Sequence, residues 1–324
     1  MADNIKATAV NEDELFTFVS NDSIESEKII APRYSYWRSV FRVFFRKKAN
    51  WVALTMLALL LFCCFVIPLF CQYDPYENVT NADMFNRNPI SAMKFTGGFS
   101  LKWCLGSGKL GNSIFYGIWA SARTSLLLAI IVTAINMTIG IIMGAVWGYS
   151  KSMDKVMIVI YSIIANVPYI LLISVLVYIM KSSGFWPFVF ALTVTGWLGI
   201  AYFFRTQVMI IRDREYSLAS RCLGTPIPRI ISKNIMPFLT SVIVTLLATE
   251  LPAIISWEVY LSFIGIGLSA NVPSLGRMIQ EAQDSFLTFP WEFWPPVAIA
   301  ALLTIILYVL GQNLADATDP RTHM

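Results

Sequence analysis

The chain has 324 residues, 56% of them hydrophobic and only 14% charged, with a mean hydropathy of +0.63. That is too apolar for a water-soluble domain of this length, where about a quarter of residues carry charge. The net charge of +4 calls for no nucleic-acid partner, because the basic residues flank apolar runs, where anionic headgroups account for them.

Residues 1–32 are polar and acid-rich (Asp3, Glu12, Asp13, Glu14, Asp22, Glu25, Glu27). They lack the apolar centre of a cleavable signal peptide and read as a disordered tail. Over residues 33–48, Trp37, Val40, Phe41, Phe44 and Phe45 share one helical face, while Arg38, Arg42 and Arg46 share another. This pattern predicts an elbow helix lying in the lipid–water interface, with a cytoplasmic extension of the first span as the alternative.

From there the chain reads as one all-α polytopic membrane domain over 49–324. Runs at 51–70, 125–147, 156–180, 185–204, 238–257 and 293–314 each approach the length of about 20 residues that crosses a bilayer, predicting six spans. Pro187, Pro252, Pro295 and Pro296 are expected to kink or end them. Six basic residues lie in 33–48 and six more (Arg205, Arg212, Arg214, Arg221, Arg229, Lys233) between the fourth and fifth spans, against Arg277 alone after the fifth. The positive-inside rule then places both termini and the 205–237 loop in the cytoplasm and the 71–118 loop outside.

The outer loop contains Gly106-Ser107-Gly108-Lys109, which invites a phosphate-loop reading. The spacing excludes it: Trp103 stands where the first glycine is needed, and Leu110 replaces the magnesium-binding hydroxyl. Among the five cysteines, Cys63 and Cys64 fall in the first span and Cys222 in the basic loop. Only Cys71 and Cys104 share an outer location, and whether they pair stays open. His323, the single histidine, has no partner at metal-ligand spacing, so no metal site is expected. The Asn-x-Ser/Thr triplets at Asn21, Asn78 and Asn136 read as chance.

In the 205–237 loop, Tyr216, Ala219, Ser220 and Leu223 recur at helical spacing opposite Arg214, Ser217 and Arg221. This predicts a short amphipathic helix packing through its small face, ended by Gly224 in the left-handed region. Thr225 is the expected N-cap of a second helix, with Pro226 at its first position and Ile227, Ile230 and Ile231 set against Arg229 and Lys233. In the fifth span, Ser241, Thr245, Thr249, Pro252 and Ser256 form a small polar stripe, read either as pore lining or as helix packing. Glu250 beside it is an ionisable group at membrane depth, suited to meet an ammonium terminus or to bond a neighbouring helix.

Glu215, Ala219, Gly224 and Pro237 fall in the register of the EAA loop, and the chain resembles the C-type permease subunit of binding-protein-dependent oligopeptide and dipeptide ABC importers. Leu105, Gly106, Gly111, Tyr116, Gly117, Arg123, Ser125 and Leu126 match that family before the second span. Glu258 to Gly267, with Pro273, Gly276 and Met278, match it after the fifth, and Leu310 to Arg321 match it at the C-terminus. Ser107, Gly108, Asn112, Ser220, Asn234, Leu275, Gln312 and Ala315 depart from its pattern.

The resemblance implies a coupling helix at about 226–233 that enters a cleft on a cytoplasmic ATPase, with Glu215 meeting a basic group there. It implies a second homologous permease subunit, two ATPase subunits carrying ATP and magnesium, an external substrate-binding protein, a peptide substrate and a bacterial plasma membrane as surroundings. The chain itself is then no enzyme. Permeases for nickel, heme or another small solute share these motifs. An ion-coupled secondary transporter is the reading from another class, and it requires repeats around midplane charges that the sequence lacks.

Overall fold

The computed structural model describes residues 35–182 and 184–319. Arg33, the whole of the expected tail, His323 and the end of the C-terminal motif lie outside them. Among the described residues there are no strands; an isolated bridge joins Ser107 and Ser113. The helices are α1 (Tyr36–Arg46), α2 (Lys48–Phe70), α3 (Pro89–Phe95), α4 (Ile114–Tyr149), α5 (Lys151–Ala165), α6 (Tyr169–Met180) and α7 (Phe185–Arg212). They continue as α8 (Glu215–Cys222), α9 (Ile227–Arg229), α10 (Thr240–Phe263), α11 (Leu275–Ala282) and α12 (Pro290–Thr318).

The helix breaks between α1 and α2 at Lys47, whose backbone is extended. Side chains fix the corner: Asn50 Nδ2 donates to the Phe44 carbonyl at 2.7 Å and Trp51 Nε1 to the Phe45 carbonyl at 3.1 Å. Lys47 Nζ reaches Asn313 Oδ1 at 2.8 Å and Asp316 at 3.3 Å, tying the corner to α12.

Among the described residues, five helices are individually long and apolar enough to cross a membrane. The expected third span is instead a broken pair, α5 and α6, bent by 85° between Ala165 and Tyr169. The cause is Pro168, which the sequence reading passed over: it lacks an N–H and biases Val167 away from the helical region. Pro252, Pro295 and Pro296 lie inside continuous helices, and Pro187 sits in the first turn of α7, so none of them ends a span. Helix α4 begins at its Ser113 N-cap, well before the expected 125. At 36 residues it is about 54 Å long, more than the ~30 Å of a hydrocarbon core.

Helix α4 is the hub, lying along α7 and also packing against α2, α10 and α11. Its closest seam is made by Gly140, Gly144 and Gly148, spaced four apart. A Cβ at Gly144 would meet the Ala201 carbonyl oxygen at 2.6 Å, and one at Gly148 the Arg205 carbonyl oxygen at 2.7 Å. Backbone thus rests on backbone, the arrangement by which spans associate where no hydrophobic effect operates between them. Gly311 of α12 sits equally close to Ala248 of α10. At one end of the seam, Arg205 grips the Asp154 carboxylate through two nitrogens, Nη2 at 2.9 Å, while Trp147 Nε1 donates to the same carboxylate at 2.7 Å. This bidentate pair fastens α5 to α7.

Candidate functional site

The segment 213–239 leaves α7, turns back and enters α10. Its first part, α8, ends in a Schellman motif: Gly224 has φ +77°, its N–H donates to the Arg221 carbonyl at 3.0 Å, and the Thr225 N–H donates to the Ser220 carbonyl at 3.2 Å. A Cβ on Gly224 would meet nothing within 4 Å, so glycine is required for backbone conformation and not for close approach.

Thr225 is therefore spent closing α8 and is not the N-cap of the next helix. That position belongs to Pro226, with Pro228 inside the first turn, one residue later than expected. Nor is the second helix a plain α-helix over 226–233. Its single α turn, α9, widens into a π-helical stretch at Ile230–Ile235 and tightens into a 3-10 turn at Met236–Leu239. Pro237 explains the change, since it has no N–H to continue the ladder.

The face of α8 that meets the rest of the chain matches the expected one only in part: Tyr216 makes a ring contact with Phe238 and Ser220 is engaged, but the buried position is Ser217 of the other face. Ser217 is buried, its Oγ donating to the Ile211 carbonyl at 3.1 Å. Ala219 is exposed, Leu218 and Tyr216 are more than 40% exposed, and Leu223 is 85% exposed. Ser220 is half-buried and accepts a 2.6 Å hydrogen bond from Asn234 Nδ2. Two positions that depart from the family pattern thus compensate each other by touching.

Below this knob, Ile230, Ile235 and Leu239 are buried against Ala145 and Tyr149 of α4 and Phe204 and Val208 of α7. Ile227, Arg229 and Lys233 point outward. Glu215 opens α8 exposed, with no ion-pair partner among the described residues. The knob is therefore rooted in the α4–α7 core and presents an open surface of apolar and charged groups.

The residues picked out on α10 separate. Ser241 is half-buried, approached by Thr318 Oγ1 of α12 at 3.5 Å, which makes it a packing position. Thr245, Thr249 and Ser256 are exposed, and their hydroxyls return to carbonyls of their own helix at 3.0–3.2 Å. Such back-bonding hides polarity while leaving the stripe accessible. Glu250 turns away from it, toward α4, where the buried Asn136 amide approaches without reaching hydrogen-bond geometry.

A residue whose role the motif alone did not disclose is Glu258. It is fully buried, and its carboxylate accepts from Ser125 Oγ of α4 at 2.9 Å and from Ser262 Oγ at 3.1 Å. The Leu275 N–H donates to Ser125 Oγ at 3.1 Å, while Gly276 lets α11 rest on the α10 backbone at Val259. Family-matching positions more than a hundred residues apart thus meet in one satisfied polar node, as a buried polar group requires. Cys71 and Cys104 are free thiols, each half-buried.

Residues 136–324 match the family described as "Binding-protein-dependent transport system inner membrane component", and residues 35–89 match the "N-terminal TM domain of oligopeptide transport permease C". The chain is 44% identical to the oligopeptide transport system permease protein AmiD of Streptococcus pneumoniae, over 96% of this chain and 98% of that one. It is 32% identical to the dipeptide transport system permease protein DppC of Bacillus subtilis, over 95% and 93%. With the oligopeptide permease protein OppC of Bacillus subtilis it shares 29%, over 92% and 93%.

Proposed function

The chain belongs to the family of inner membrane components of binding-protein-dependent transport systems, and we propose that it is the C-type permease subunit of an ABC importer for oligopeptides or dipeptides. It is a multi-pass membrane protein. The observation that carries the substrate class is the full-length likeness to peptide permeases, joined to an N-terminal match characteristic of oligopeptide permease C.

In this reading both termini and the α8–α9 knob face the cytoplasm of a bacterial cell, and the loop after α2 faces outward. A second homologous permease completes the pathway, an external binding protein delivers peptide, and two cytoplasmic ATPases bind ATP and magnesium. The knob receives their closure. Leu218, Leu223 and Ile227 fill an apolar cleft on an ATPase, each supplying up to about 1.5–3 kcal/mol if fully buried, while Glu215, Arg221 and Arg229 set its register. Because Ile230, Ile235 and Leu239 are seated between α4 and α7, a push on the knob moves those spans as a body and opens the pathway alternately to either side. The ATPases bias this equilibrium only through contacts that differ between the two states, and the knob is where such contacts are made. The exposed stripe Thr245, Thr249 and Ser256 faces the second permease across the pathway, with Glu250 behind it.

The test is reconstitution of the assembled importer, scoring ATP-dependent uptake of labelled peptides against nickel and heme. Peptide accumulation that requires the ATPases is expected. Uptake of a metal or heme in its place would overturn the substrate assignment, and uptake by this chain without ATPases would overturn the mechanism.

A further inference from the structure

On the side carrying the loop after α2, a cavity of about 450 Å³ lies between Tyr73, Lys109 and Asn112 of that loop and Arg277 and Met278 of α11, with Glu292 of α12 in its wall. Its size is that of a small-ligand site. Glu292 is only 5% exposed, yet its Oε1 has no hydrogen-bond partner. An unpaired buried carboxylate oxygen is costly, and a cationic donor would relieve that cost.

The cations nearby do not supply one. Arg277 is engaged, its Nε on Glu281 Oε1 and its Nη1 on Gln280 Oε1, each at 2.8 Å. Lys109 lies within electrostatic reach of Glu292, but no ion pair joins them among the described residues. A divalent metal does not fit either, because among the described residues no three acidic, histidine or cysteine side chains converge. The Tyr73 phenol accepts from Asn112 Nδ2 at 2.8 Å, leaving its own proton to donate. Burial pushes that phenol up to about 12, so it remains neutral. Pro75, Met278 and Ile114 supply apolar wall. A buried acid, a basic group standing off from it, a neutral donor and an apolar lining suit a primary ammonium attached to a side chain and a carbonyl.

We infer that this cavity receives the amino-terminal residue of a peptide, its ammonium on Glu292 Oε1 and its first carbonyls toward Lys109 and Tyr73. The inference rests on the peptide-import reading and assigns that reading an outward-side contact on this subunit. Glu292 sits in the first turn of α12 and Asn112 just ahead of α4, so an occupied cavity adds a bridge at the outer ends of two helices that already pack together.

The experiment uses the assembled importer in proteoliposomes with two photoreactive tripeptides, identical except that one carries a free amino terminus and the other is N-acetylated. Cross-links from the free-amine probe are expected in residues 73–76 and 270–284, about tenfold above the acetylated probe, the ratio that a charge-assisted hydrogen bond supplies. Glu292→Gln, which keeps shape and removes charge, is expected to erase that ratio. Equal labelling by both probes in the wild type, cross-links elsewhere, or a ratio that survives Glu292→Gln would overturn the inference. Peptide uptake in the same vesicles separates the two levels: uptake without amine-dependent labelling removes only this site, whereas absence of peptide uptake removes the importer reading and this site with it.

Discussion

Along the seam between α4 and α7, Gly144 and Gly148 lie against facing backbone and Gly140 against the Ile200 side chain, and nothing larger than a hydrogen fits there. On the knob, Leu218, Leu223 and Ile227 stand exposed above a root of buried isoleucines. The first region is complete within one chain, and the second has the composition of an interface core without its other half. In a membrane protein, exposed apolar side chains on the spans are met by lipid. On a connecting segment rich in arginine they suit a partner surface, the role proposed for them above. One region thus holds the body together, and the other is, in the proposed reading, where force from outside the chain enters it.

The contrast is sharpest under substitution. Gly144→Leu should have the largest effect, because the new side chain must displace the Ala201 backbone; a loss of about 3 kcal/mol or more is expected, seen as loss of monodisperse protein and a lower unfolding temperature in detergent. Normal stability would show that the seam is not close-packed. On the knob, Leu223→Asp should leave insertion and thermal stability unchanged while reducing peptide-stimulated ATP hydrolysis by about tenfold or more, as a truncated interface anchor does.

Gly224→Val should reduce uptake through conformation, since a branched side chain at φ +77° costs about 1–2 kcal/mol. Gly224→Asn, which tolerates that region, should retain most activity. Equal loss in both would refer the effect to space, which the structure shows to be open there. The smallest effect is expected for Ser220→Ala, about 1 kcal/mol from the orphaned Asn234 amide. A double-mutant cycle with Asn234→Ala should show that the two costs are not additive. Additive losses would mean that the bond contributes nothing.

How legible this was from residues alone differs between the same two regions. The spans were legible because long apolar runs with almost no charge point to a membrane, but the 85° break at α5–α6 was not. Hydropathy reports composition, not direction, and Pro168 sits within an apolar stretch that scores as a span regardless. The spacing of Gly140, Gly144 and Gly148 was visible and its partner was not, since nothing in α4 names α7.

For the knob, periodicity found α8 and Gly224 but gave the packing face only in part, missing Ser217. That assignment assumes that an apolar stripe packs on its own chain. In α8 the serines do so, through hydrogen bonds, and Tyr216 leans on Phe238, while Leu218 and Leu223 are turned out. Likewise Ser220 and Asn234 read as separate departures because a 2.6 Å contact across fourteen residues has no sequence signature.

The knob carries its own reporter, since Cys222 is an exposed free thiol on α8, while Cys64 is buried and Cys63, Cys71 and Cys104 are half-buried. Maleimide labelling of Cys222 can be followed by peptide mass in the permease pair alone and in the assembled importer. Rapid labelling in the pair and strong protection once the ATPase subunits are bound is the predicted result. Equal labelling rates in both states would contradict the claim that this surface is where the ATPases engage.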